Sequence, residues 1–144
     1  SIALVDVALR RRFEFEELMP NFEHCNDLTL AIKEVLKELN KRIVLRKDRD
    51  HQIGHSYFMK VKDNETFNVV FKKKIIPLLQ EYFWNDWEGL RYVLGENNGG
   101  MFISKISGKD ISATRNKWQW FSDKGSQFDY LDQLKKNYGI LIND

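Results

Sequence analysis

The stretch Asn64-Glu65-Thr66-Phe67-Asn68-Val69-Val70-Phe71-Lys72-Lys73-Lys74-Ile75-Ile76-Pro77-Leu78-Leu79-Gln80-Glu81-Tyr82-Phe83 repeats its apolar residues at three- and four-residue spacing. Phe67, Val70, Phe71, Ile75, Leu78, Leu79, Tyr82 and Phe83 share one helical face, which predicts an amphipathic helix and makes it the main core element. Asp63 or Asn64 starts it. Pro77 has no N–H, and its ring would clash with the carbonyl of Lys73, so a kink or break is expected near Lys73 to Ile76. Lys72, Lys73 and Lys74 are consecutive and fan over more than half the circumference. At least one is expected beside the buried stripe, its stem lying on apolar surface.

Working outward, the residues before this helix carry the same period. Pro20 to Asp27 is polar enough for a connector, and Asp27 is predicted to cap a helix with Leu28, Ile32, Val35, Leu36, Leu39 and Ile43 on its core face. Lys33, Glu34, Lys37, Glu38 and Lys41 form a solvated outer face, with Glu34–Lys37 and Glu38–Lys41 as favourable pairs. Arg46, Lys47 and Arg49 make a basic turn. His51 and His55 are four apart, but Gly54 between them weakens a helix and no third ligand stands at metal spacing, so no metal site is read there. After the long helix, Asn85-Asp86-Trp87-Glu88 predicts a capped short helix, with Asn85 as cap and Gly95 as stop. These elements amount to a small α-helical bundle.

The two ends read differently. Asn97-Asn98-Gly99-Gly100 is a linker signal, and Met101 to Ile106 predicts a strand ended by Gly108. Trp118, Trp120 and Phe121 form an aromatic knot, and Ser126 is predicted to cap a helix carrying Phe128, Leu131, Leu134 and Tyr138 up to Gly139. Residues 101–144 are thus read as a small α+β tail, packed on the bundle or on a neighbouring subunit. At the other end, Ile2, Val5 and Leu9 fall at helical spacing after Ser1, and Phe13 and Phe15 alternate with Glu14 and Glu16 as a strand does. Arg10, Arg11 and Arg12 stand at the junction. Three consecutive guanidiniums do not all find local carboxylates on one face, so at least one is expected to reach outward.

Composition bounds the chemistry. With 144 residues, 42% apolar and 31% charged, the chain is long enough for one domain with a core and does not have the make-up of a disordered one. A net charge of +2 is too small to argue for nucleic acid by itself. No apolar run suits a membrane span, and the lone Cys25 suits a reducing cytoplasm. The pattern G-x-x-x-x-G-K-[ST] is absent, as is an apolar strand ending in paired acids. The chain alone is therefore expected to bind no cofactor and to be inactive as a nucleotide hydrolase.

Ser1-Ile2-Ala3-Leu4-Val5-Asp6-Val7-Ala8-Leu9-Arg10-Arg11-Arg12-Phe13, His51-Gln52-Ile53-Gly54-His55-Ser56-Tyr57-Phe58 and Ile76-Pro77-Leu78-Leu79-Gln80-Glu81-Tyr82-Phe83 together resemble the McrB-like AAA+ GTPases of modification-dependent restriction systems. The resemblance covers roughly residues 1 to 95. It implies a C-terminal piece of a larger protein, with residues 1–20 ending the AAA+ core as a short helix and strand, 21–96 forming the helical lid, and 97–144 as an extension. It implies Arg11 and Arg12 as arginine fingers acting in trans, with Arg10 structural, and Gly54, His55 and Ser56 as the part of the lid near the nucleotide. Many AAA+ proteins place an arginine or lysine there, and this sequence does not. The parent is expected to use GTP, or ATP, with Mg2+, in a homo-oligomeric ring, a hexamer, working with a nuclease subunit and reaching DNA through another domain. The contrasting expectation is a nucleic-acid-binding module, built from Lys105, Lys109, Arg115 and Lys117 beside Trp118 and Trp120, or a surface docking the nuclease partner.

Overall fold

The computed structural model of the chain describes residues 22, 25, 27–96, 103–105, 118–120 and 128–142, and among these the architecture is mainly helical. The first helix, α1 (Leu30–Arg46), begins later than its pattern suggests. Leu28 is buried ahead of the helix, its N–H donating to the carbonyl of Cys25, and this turn takes Asp27 away from the cap position. Thr29 caps instead, its extended backbone letting Oγ1 accept from the Ile32 N–H at 3.2 Å. The outer face carries the expected Glu34–Lys37 and Glu38–Lys41 pairs at 3.6 and 4.0 Å, exposed and of little energetic weight.

The predicted long helix is three segments in line: α2 (Asn64–Val70), a π-helical turn (Phe71–Ile75) and α3 (Ile76–Tyr82). Asp63 caps α2 reciprocally with Thr66, satisfying donors at both positions. The break falls where Pro77 requires it. The N–H of Ile76 reaches back five residues to the Phe71 carbonyl, and α3 then starts afresh with Pro77 in its first turn, where a missing donor costs nothing. Lys72, Lys73 and Lys74 are all exposed. Phe71 and Ile75 hold the buried side of this wider turn, so the three residues between them sweep only its outer part.

Next comes α4 (Trp87–Val93), capped by Asp86 rather than Asn85. Asn85 takes a positive φ of 63°, a conformation its short polar side chain tolerates, and this aims the Asp86 carboxylate at the Gly89 N–H. The helix ends at Gly95, whose φ of 77° allows the Glu96 N–H to return to the Arg91 carbonyl at 2.9 Å. Beyond it, β1 (Ile103–Lys105) and β2 (Trp118–Trp120) pair antiparallel with Ile103 opposite Trp120. β1 falls inside the predicted 101–106 strand.

The final helix, α5 (Tyr130–Tyr138), is capped by Asp129 and stopped by Gly139. It packs on the bundle, one of the two placements expected for it, with Tyr130, Leu131 and Leu134 entering the same core as Ile32, Leu36, Leu39 and Ile43 of α1. Polar contacts reinforce that docking. Asn68 of α2 accepts from the Leu131 N–H at 2.9 Å and donates to Asp129 at 3.1 Å, while Asn137 donates to the Leu94 carbonyl at 2.9 Å and the Tyr138 hydroxyl to the Val93 carbonyl. The carbonyls left over at the end of α4 are thereby satisfied from α5. Through the core runs a chain of rings, Phe22, Phe58, Phe67, Phe71, Tyr130 and Phe128, with successive centroids 5.0–6.1 Å apart. The expected N-terminal helix and strand, the Phe121 part of the aromatic knot and the Ser126 cap lie outside the described residues. No helix among the described residues is long and apolar enough to cross a membrane.

Gly95 sets the junction between α4 and α5. A Cβ there would lie 2.9 Å from both Asn137 Cβ and Tyr138 Cδ1, on a backbone that L side chains rarely adopt. Gly95→Ala is expected to cost about 2 kcal/mol or more, read as a lower denaturant midpoint at unchanged slope. Gly139→Ala, with a similar φ but open space around it, should lose only about 1 kcal/mol.

Candidate functional site

Gly54, His55 and Ser56 lie on the segment joining α1 to α2, and buried residues anchor that segment at both ends. Ile53 and Phe58 are wholly buried, whereas Ser56 and Tyr57 between them are exposed. The upstream anchor is polar as well as apolar. Asn40, in the middle of α1, donates from Nδ2 to the Ile53 carbonyl at 2.9 Å and accepts at Oδ1 from the Ile53 N–H at 2.7 Å. The downstream anchor is Phe58, held between the rings of Phe22 and Phe67, with Cys25 Sγ 3.6 Å from both the His55 carbonyl and Met59 Sδ. Burial raises the pKa of the Cys25 thiol, so it stays protonated as a weak donor.

Between the anchors the chain makes a 3-10 turn, His55–Phe58, with Gly54 at its head. Gly54 has φ −75° and ψ 157°, a conformation open to any residue, and a Cβ built there would meet only Ser56 Oγ at 3.8 Å. The fold does not require a glycine at this position. A missing side chain on this partly exposed turn leaves room for the close approach of something else. The turn carries backbone groups, an imidazole and a hydroxyl, and no arginine or lysine.

Arg42, Arg46, Lys47 and His51 are engaged elsewhere. Arg46 holds Asp86 through two contacts, 2.9 and 3.3 Å, linking α1 to the start of α4. Lys47 donates to the Tyr82 carbonyl and stands 5.5 Å over the Phe83 ring. Arg42 lies between the rings of Tyr92 and Tyr138 at 5.4 and 4.9 Å, and donates to Glu38 and to the Tyr92 carbonyl. His51 pairs with Asp48 and packs T-shaped against the Tyr82 ring, centroids 4.7 Å apart, and it lies in a different turn from His55. Among the described residues no group of three or more His, Cys, Asp or Glu side chains is placed to hold a metal ion.

The structure thus brings Gly54, His55 and Ser56 together, while Arg11 and Arg12 lie outside the described residues. Sequence reading missed Asn40. Its signal was present, since residue 40 stands four after Leu36 and beside Leu39, on the apolar stripe, where an amide is out of place without a polar task.

Residues 31–91 match the family described as McrB, alpha-helical lid domain. The chain is also similar to the "Type IV methyl-directed restriction enzyme EcoKMcrB subunit" of Escherichia coli (strain K12), 31% identical over 108 residues that cover 60% of this chain and 23% of that protein. The chain spans less than a quarter of the length of this curated relative. Its helical unit, over residues 31–91, is thus similar to the McrB lid.

Two outcomes follow from this geometry. The hydrogen bond from Arg46 holds the Asp86 carboxyl below the usual carboxylate range, against a smaller opposing effect of burial. A lowered folded pKa stabilises the native state above the unfolded value of about 3.9, and that contribution fades as pH falls through the folded value. The stability difference between wild type and Asp86→Asn, which can still cap α4, should be constant above about pH 5 and shrink below about pH 4 in denaturation midpoints. Gly54→Ala should leave stability within about 0.5 kcal/mol of wild type or raise it slightly, by the same measurement.

Proposed function

We propose that this McrB-like chain is the lid-bearing part of a ring-forming AAA+ NTPase that hydrolyses GTP in support of DNA restriction. The observation that carries the reading is the lid match over residues 31–91, which encloses a rigid turn, Gly54-His55-Ser56, with space above its glycine. In this reading the turn faces the nucleotide and the two buried anchors fix its height over the base, ribose or phosphate. Its neutral donors and acceptors suit hydrogen bonding to any of these, and suit charge neutralisation less well because Arg46 and Lys47 are tied to Asp86 and Tyr82. Mg2+, held by other parts of the parent protein, would neutralise phosphate charge when bound.

Residues 1–20 then end the AAA+ core, residues 21–96 are the lid, and residues 97–144 are an extension whose last helix helps close the lid core. Arg11 and Arg12 act on the nucleotide of the adjoining subunit. Phosphoryl transfer spreads negative charge over the transferred group, and a guanidinium supplied across an interface stabilises it by about a thousandfold or more in rate. A finger needs a neighbour, so the active form is a ring, a hexamer, coupled to a nuclease subunit and to DNA bound elsewhere in the parent. The relative's name, a methyl-directed restriction enzyme subunit, supports the restriction context.

Hydrolysis of GTP and ATP by the intact parent, measured for wild type, Arg11→Ala and Arg12→Ala with nucleotide affinity followed separately, tests this. The expected result is a rate loss of about a thousandfold with binding retained. Turnover should return on mixing with a subunit that lacks a working P-loop but keeps both arginines. Unchanged turnover in both variants would overturn the finger assignment.

A further inference from the structure

We propose that Asn40 is a positioning residue for the nucleotide, setting through Ile53 the place at which Gly54, His55 and Ser56 meet it. The inference rests on the reading of that turn as the nucleotide-facing part of the lid. Asn40 is 5% exposed and lies on the stripe of α1 whose other members, Leu36, Leu39 and Ile43, are buried aliphatic residues. A leucine at this position would favour the helix more and place no polar atom in the core. The amide is retained where it grips both backbone groups of one residue, at 2.9 and 2.7 Å, and that residue directly precedes Gly54.

The grip is what gives residues 52–54 a defined path. They run extended between two 3-10 turns, Arg49–His51 and His55–Phe58, where the chain has no strand partner. The Asn40 side chain takes the place of a neighbouring strand, donating once and accepting once. Ile53 seals it from water on the core side, with no exposed surface of its own. A turn held in this way meets a ligand without first being ordered, so the cost of fixing it does not fall on binding. Asn40 touches no ligand and acts only by where it holds the backbone.

The two backbone bonds also separate two kinds of variant. Asn40→Asp keeps the acceptor for the Ile53 N–H but turns a second oxygen toward the Ile53 carbonyl. Asn40→Gln keeps donor and acceptor but adds one methylene, which moves the turn outward while leaving both bonds possible. A purely structural amide would tolerate Asn40→Gln in any functional assay performed well below the melting temperature. A positioning amide would not.

The test is steady-state GTP hydrolysis by the full parent assembly, with Asn40→Asp, Asn40→Gln, Gly54→Val and Ser56→Ala compared at a temperature where all are folded. Gly139→Ala, destabilised but far along the chain from the turn, is the control. The expected result is a KM for GTP raised about tenfold in both Asn40 variants, the size of one hydrogen bond's worth of binding, with kcat within about twofold. Gly139→Ala should leave KM unchanged. If Gly54→Val raises KM and the Asn40 variants do not, the positioning role is overturned and the nucleotide-facing reading stands. If Gly54→Val and Ser56→Ala also leave KM unchanged, the turn does not meet the nucleotide and that reading fails as well. Should Asn40→Asp not fold, Asn40→Gln decides alone, because it preserves the amide and both bonds.

Discussion

One buried amide fixes the bundle's backbone at a point where that backbone has no helix or sheet partner of its own. Between α1 and α2 the chain must cross the core without helix or sheet to satisfy it, and a buried N–H and C=O left unpaired there would each cost about 1–3 kcal/mol. Asn40 meets both demands from a single side chain on α1. Ile53 can therefore be buried completely, and Phe58 can close the far end of the crossing against Phe22 and Phe67. With both ends fixed, the exposed residues between them have one conformation to offer rather than many.

The same economy recurs where helices end. The last carbonyls of α4 are taken by Asn137 and Tyr138 of α5, and the first free N–H groups of α5 are shared between its own Asp129 and Asn68 of α2. Helix termini that solvent would otherwise satisfy become the joints between elements. They explain why α5, some thirty-five residues beyond α4, belongs to the bundle rather than standing apart from it. Burial of the Tyr138 ring raises its hydroxyl pKa, which keeps that group a donor to the Val93 carbonyl at any physiological pH.

Charge is handled in a similar way around the C-terminal end of α1. Arg46 and Lys47, read from the sequence as part of a basic turn, and Arg42 one turn earlier each reach a carboxylate, a carbonyl or a ring on or beside α3, α4 or α5. They act as ties. The π-helical turn does the reverse, presenting Lys72, Lys73 and Lys74 to solvent as the geometric consequence of accommodating Pro77. Ties of this kind join α1 to α3, α4 and α5 from the outside of the core.

The bundle itself was legible in the sequence, because apolar spacing in α1 and in the α2–α3 run reports which face each helix buries. So was the interruption ahead of Pro77, since a missing donor and a ring clash are local facts, and so were the stops at Gly95 and Gly139, where the chain needs a positive φ. The turn holding Gly54, His55 and Ser56 was identifiable through resemblance, but its rigidity was not. Caps shifted by one or two residues, Asp27 to Thr29 and Asn85 to Asp86, because several neighbouring polar side chains can cap and only packing selects among them. Periodicity along one chain determines which residues are buried. Which buried polar group meets which distant backbone, as Asn40 meets Ile53, depends on how separate elements are brought together, and that is decided only by the tertiary structure.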